Sequence, residues 1–134
     1  MNYQKIYDSL VNHRLNHPAN LEFDYTENHH IIPRSLDKSL EKDKSNIVNL
    51  SAREHFIAHK LLAQENPNNA GLLSAYAVMA LMKNGNQQER EITPGEYESA
   101  RISFSNAMKS RWKDENYRNA QIKNLYQRWE DPEY

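Results

Sequence analysis

"IVNLSAREHFIAHKLLAQENP", residues 47–67, changes hydrophobic rhythm in its middle. Ile47, Val48 and Leu50 form a short β-branched and aliphatic run of the kind that fits a strand. Ser51 and Glu54 then have the S-x-x-E spacing of a capping box, directly before an apolar stretch, so a helix starts at about Ala52. Pro67 and its asparagine neighbours end that helix. The segment therefore reads as strand, cap, helix.

Upstream, "NLEFDYTENHHIIPRSL" (20–36) alternates through Leu21, Phe23 and Tyr25 and stops at Pro33, which cannot donate to a ladder. A strand running from 21 through His29 and His30 is expected. "RSLDKSLEKDKSN" (34–46) is polar and without apolar period, hence a surface loop joining this strand to the one at 47–50 in a hairpin-like pair. Residues 3–15 place Tyr3, Ile6, Tyr7, Leu10 and Val11 on one helical stripe before "NHPAN" breaks it. "NAGLLSAYAVMALMK" (69–83) is a strongly apolar helix ended by "NGNQ", with Tyr76, Val78, Met79, Leu81 and Met82 as core residues. Thr93, Pro94 and Glu96 signal a further helix running through Met108.

The expected fold is mostly α with a small β-hairpin. Four parts are read: an N-terminal helix (1–20), a ββα unit (21–66), a core-packing helix and loop (67–92), and a helical basic extension (93–134). With 134 residues the chain suits one domain plus an appendage. It has no cysteine, which rules out disulfides and thiolate metal sites and points to a cytosolic compartment. No apolar run reaches the roughly 20 residues of a membrane span, so no membrane partner is expected. The N-terminus lacks the basic-then-apolar order of a signal peptide.

The net charge of −1 is an average over unlike parts. Between Ser99 and Trp129, Arg101, Lys109, Arg111, Lys113, Arg118, Lys123 and Arg128 stand against Asp114 and Glu115 only, while acids gather at Glu89, Glu91, Glu96 and Glu98 and at the end. "RWKDENY" (111–117) recurs as "RWEDPEY" (128–134), with Arg, Trp, Asp and Tyr matched. An arginine beside an indole suits a nucleic-acid backbone, charge meeting phosphate and ring covering sugar or base. The alternative is that Trp112 and Trp129 anchor terminal helices. The chain stops at Tyr134, in the middle of what would be a second repeat, as a truncated product or an engineered piece would.

Four of the six histidines lie at 29, 30, 55 and 59. On a helix, His55 and His59 are about 6 Å apart in rise and share a face, a geometry that clamps one metal ion. A strand imidazole packed on that face supplies a third ligand and leaves positions open for water and substrate. Alternation along the strand then turns the neighbouring histidine elsewhere, free to take a proton. His13 and His17 have the same i, i+4 spacing but are followed at once by Pro18, with no third ligand near, and read as surface residues.

These stretches, "HHIIPRSL" and then "DKSNIVNLSAREHFIAH", resemble the HNH endonucleases, in particular the small homing-type enzymes of bacteriophages. The resemblance implies a ββα-metal unit in which His29, His55 and His59 hold one divalent ion (Mg, Mn, Zn or Ni), and His30 is the general base. Asn46 would be the central asparagine that braces the loop so that the base meets a backbone carbonyl; Asn49 is a second candidate. "YQKIYDSL", "ITPGEYESAR" and the Arg-Trp repeats are similar to segments of phage homing endonucleases, the last to their modular DNA-binding repeats. One departure is "DKSLEKDK", where phage relatives commonly carry glycines. The implied activity is hydrolysis of double-stranded DNA as a nickase or cutting enzyme, leaving 5′-phosphate and 3′-hydroxyl ends. It would need no small-molecule cofactor, would act as monomer or homodimer, and would work in the host cytoplasm if phage-encoded. Arg34, Arg53, Lys109, Arg111, Trp112, Lys113, Arg118, Lys123, Arg128 and Trp129 are the expected DNA contacts. Two rival readings are a silent DNA-binding protein with a structural zinc and a general phage nuclease for packaging or DNA degradation.

Overall fold

A computed structural model describes residues 1–81, 92–131 and 133. Helix α1 (Tyr3–Asn16) is followed by strand β1 (Glu27–His30), two single 3-10 turns, strand β2 (Ile47–Leu50) and helix α2 (Ala52–Glu65). Helices α3 (Ala70–Leu81), α4 (Pro94–Trp112) and α5 (Glu115–Glu130) complete the chain. The two strands pair antiparallel with His29 opposite Val48 and His30 opposite Ile47.

The expected fold class holds, mostly helical with one small hairpin. Both capping boxes form as the spacing requires, Ser51 with Glu54 and Thr93 with Glu96. Each capping glutamate also receives an arginine from another helix. Arg14 of α1 donates from Nε to Glu54 at 2.8 and 3.0 Å, and Arg53 of α2 donates to Glu96 at the start of α4 at 3.2 Å. Local caps thus double as links between helices.

Two expectations need correction. The first strand does not start at Leu21: residues 21–24 form a turn in which the Asn20 side chain accepts from Glu22 N and the Asp24 carboxylate accepts from Asn20 N. Such Asx turns compete with extended backbone, and β2 is only four residues long, with Leu50 already paired to Glu27, so nothing faces residues further upstream. Leu21 and Phe23 are accordingly exposed. The helix expected through Met108 does form, and it runs on to Trp112, close to where the Asp114 carboxylate caps α5 through Asn116 N and Tyr117 N. Val78, expected in the core, is 43% exposed. Tyr76 is buried and Met79 and Leu81 pack against the core, whereas Met82, the loop at 84–87, Glu89 and Glu91 lie outside the described residues.

Two apolar clusters meet along α2. One face carries Ala58, Leu61 and Leu62 against Tyr7 and Val11 of α1, Val48 and Leu50 of β2, and Leu72 of α3. The other carries Phe56 and Ala63 against Leu73, Tyr76, Ala100 and Ala107. Helix α5 buries no residue and meets the rest through the end of α4. No described helix is long and apolar enough to cross a membrane.

Candidate metal and catalytic centre

β1 brings the strand histidines to α2, and the pleat separates them. His29 is 1% exposed and faces the helix, where its ring centroid lies 5.1 Å from that of His55 and 5.0 Å from that of His59. His55 and His59, one turn apart on α2, have centroids 4.9 Å apart. One ligand atom from each of the three lies within 4.8 Å of the others, the one such group of three or more metal-ligating side chains among the described residues. Nε2 of His55 and Nε2 of His59 are 3.2 Å apart. Two nitrogens bound tetrahedrally at 2.0–2.1 Å to one ion stand about 3.3 Å from each other, so this spacing suits a shared cation.

The protonation pattern supports the same conclusion. Glu27, buried at the start of β1 on the same strand face as His29, accepts from His55 Nδ1 through Oε1 at 2.7 Å, and its other oxygen accepts from the Tyr25 hydroxyl. A carboxylate only accepts, so His55 Nδ1 carries a hydrogen; in the neutral ring that leaves the lone pair on Nε2, which faces His59. Burial, reinforced by the neighbouring imidazoles of His59, His55 and His30, holds the His29 pKa down at about 2. The ring is therefore neutral, the form a metal requires. His29 Nδ1 is buried and, among the described residues, has no hydrogen-bond partner. A buried ring nitrogen left unsatisfied costs about 1–3 kcal/mol, which a bound cation recovers where that nitrogen carries the lone pair. The donor set and the orphaned nitrogen fit a divalent metal.

His30 points the other way. Its Nε2 meets the Glu41 carbonyl at 3.0 Å. A carbonyl only accepts, so Nε2 carries the hydrogen and Nδ1 of the neutral ring keeps its lone pair. Asn46 holds the loop that presents this carbonyl: its Oδ1 accepts from Ile32 N at 2.8 Å, and its Nδ2 donates to the Ile32 carbonyl at 2.9 Å and the Leu40 carbonyl at 3.3 Å. Asn49 sits in β2 opposite Asn28 and lines a different cleft with Arg14, Leu15 and Pro18. The bracing geometry is that of Asn46. The "DKSLEKDK" segment supplies it without glycine, using two 3-10 turns capped by Asp37 and Asp43.

Beside His59 opens a cleft of about 400 Å3 with Arg34 and Lys38 on its wall. Arg34 is exposed, its Nε 3.7 Å from Glu41. Arg53 is turned to Glu96 and lies over the Phe56 ring, 5.4 Å from its centroid. The remaining expected DNA contacts are elsewhere. Lys109, Arg111, Trp112 and Lys113 end α4, and Arg118, Lys123, Arg128 and Trp129 lie on α5. Trp112 and Trp129 are 49% and 65% exposed, more than helix anchors would be, and stand edge-on to Tyr117 and Tyr126 respectively. Pro132 and Tyr134 of the second repeat lie outside the described residues. His13 and His17 stack on the exposed side of α1, apart from the centre.

Glu27 escaped the sequence reading. Its signal was available, since i and i+2 on a strand share a face, which puts Glu27 beside His29.

No family model matches the chain, and no solved structure does. Among curated proteins it is 39% identical over 128 residues to "Probable mobile endonuclease D" of Enterobacteria phage T4, an alignment covering 88% of this chain and 48% of that protein. It is 44% identical over 84 residues to "Probable mobile endonuclease E" of the same phage, covering 62% and 55%. With "Probable mobile endonuclease B", also of that phage, identity is 35% over 119 residues, covering 86% and 43%. The chain spans about half the length of the curated relatives it matches.

Proposed function

We propose that the chain is the nuclease-bearing part of a phage mobile endonuclease, an HNH-type enzyme that hydrolyses DNA phosphodiesters with one divalent metal. The observation that carries this is the division between two adjacent histidines. His29 joins His55 and His59 in a three-imidazole cluster, while His30, on the opposite strand face, has its Nε2–H engaged by the Glu41 carbonyl. The similarity to phage proteins named as mobile endonucleases supports the same reading.

His29, His55 and His59 would hold the ion, which when bound offsets charge on the phosphoryl oxygens and the departing 3′ oxygen. His30 takes a proton on Nδ1 from the attacking water; the new bond forms between that oxygen and phosphorus, the bond to the 3′ oxygen breaks, and the departing 3′ oxygen takes a proton from solvent. The products are 5′-phosphate and 3′-hydroxyl ends. One such centre nicks one strand per event. Asn46 positions the base by fixing the loop that carries the Glu41 carbonyl. Arg34, beside the cleft at His59, is placed to meet a backbone phosphate. The basic and aromatic residues of α4 and α5 supply salt-dependent affinity for duplex DNA. Arg53, committed to Glu96, serves the fold first.

A closed structural zinc site would need a fourth ligand. Asn46 is occupied by Ile32 and Leu40, and the Glu27 carboxylate is engaged with His55 and Tyr25, which favours the open, catalytic arrangement.

The test is plasmid nicking with and without chelator, alongside His30→Ala. Chelator abolishes cleavage. His30→Ala retains metal and DNA binding and loses about 10²–10⁴-fold in cleavage rate, the worth of a general base. Unaltered cleavage by the variant overturns the assignment of the base.

A further inference from the structure

We infer that Tyr7, in the helix that precedes the ββα unit, is a positioning residue: its hydroxyl holds His29 in the Nε2–H tautomer and thereby leaves Nδ1 as the metal-binding atom. The inference rests on the metal-centre reading and extends the set of residues that build the centre into α1.

Hydrogen-bond polarity sets the His29 tautomer. The Tyr7 hydroxyl lies 2.6 Å from the Ile31 carbonyl and 2.8 Å from His29 Nε2. A carbonyl can only accept, and a phenol has one proton, so Tyr7 donates to Ile31. Toward His29 the hydroxyl is then an acceptor, and Nε2 must carry the hydrogen. A neutral imidazole has one N–H, which leaves the lone pair on Nδ1. That is the atom found buried and, among the described residues, without a partner. The two rings of known polarity are set oppositely: Glu27 fixes His55 to present Nε2, and Tyr7 fixes His29 to present Nδ1.

Tyr7 is well anchored for this task. It is 3% exposed, packs edge-on to the His29 ring with centroids 5.9 Å apart, and sits on a helix tied to α2 by Arg14 and Glu54. The same hydroxyl grips the backbone at Ile31, one residue past the base His30. A partner of this kind behind a ligating histidine typically accounts for about 10–100-fold in metal affinity.

The experiment uses the full chain and two readouts that need no cleavage. Long-range ¹H–¹⁵N NMR of the metal-free protein at neutral pH reports the tautomer of His29, and titration with Zn2+ or Co2+ reports affinity. Wild type shows His29 as Nε2–H, and Tyr7→Phe, which keeps the ring and its packing, loses that preference and binds Zn2+ about 10–100-fold more weakly. Val11→Ala, a buried change on the same helix, lowers the melting temperature and leaves affinity unaltered. A wild-type His29 protonated on Nδ1, a Tyr7→Phe affinity within twofold of wild type, or an equal loss in Val11→Ala would each overturn the inference. A wild type that binds neither ion overturns the metal centre instead, and the NMR measurement still decides what Tyr7 does to His29.

Discussion

Replacing Glu27 separates the charge of the centre's buried carboxylate from its shape. Glu27 is 6% exposed and its Oε1 accepts from His55 Nδ1 at 2.7 Å. A hydrogen bond to a charged partner is worth about 1.5–3 kcal/mol and a neutral one about 0.5–1.5 kcal/mol. Glu27→Gln keeps an acceptor oxygen and removes the charge, so it forfeits about 1–1.5 kcal/mol of support for the metal-bound form of His55. At about 1.4 kcal/mol per decade this is roughly tenfold in Kd. Glu27→Ala removes the acceptor as well and frees the ring to turn, moving the loss toward a hundredfold. Competitive Zn2+ titration of the full chain against a chelator of known affinity measures both, with thermal melting to check that each variant is folded. Because Glu27 is set behind His55, cleavage by Glu27→Gln returns close to wild-type rate at saturating metal. Affinities of both variants within twofold of wild type, or a greater loss in Gln than in Ala, would refute the reasoning.

Two further outcomes are expected. Asn46→Ala removes the three hydrogen bonds to Ile32 and Leu40; it lowers stability by about 2 kcal/mol and slows cleavage while leaving Zn2+ affinity near wild type, since the cluster is on the other strand face. Equal loss of metal affinity and cleavage would count against a role through the His30 loop. Acid should weaken the fold through the capping glutamates. Burial raises the Glu54 and Glu96 carboxyls, but hydrogen bonds and charge from Arg14 and Ser51, and from Thr93 and Arg53, outweigh it and hold both below the usual range. Groups depressed in the folded state contribute stability that is complete above the unfolded pKa of about 4.3 and is lost as pH falls through the folded value. The melting temperature therefore drops between about pH 5 and 3, and less so in Arg14→Gln; a melting temperature that holds steady over that range would contradict this.

Much of the fold was legible because its determinants are local. The Ser51–Glu54 and Thr93–Glu96 boxes act over three residues, and helices α2 and α4 start where that spacing puts them. The same holds for β2 and for the shared face of His55 and His59. Alternation at Leu21, Phe23 and Tyr25 misled, because a period-2 pattern requires a facing strand and the Asn20–Asp24 turn ended the pairing. Exposure of Val78 was likewise hidden, since an all-round apolar helix does not declare which side its neighbours cover.

The sequence by itself determined which residue types are present, their spacing, and the separation of His29 from His30 onto opposite faces, all consequences of backbone geometry within a few residues. Tertiary structure alone decided which nitrogen of His29, His30 and His55 is engaged by a hydrogen-bond partner and which is left over. That choice belongs to partners distant in the chain: Tyr7 lies 22 residues from His29, Glu27 lies 28 from His55, and the Glu41 carbonyl lies 11 from His30. A histidine's tautomer is set by what touches its far side, and only the packing of α1, the loop and the hairpin around α2 brings those groups into contact.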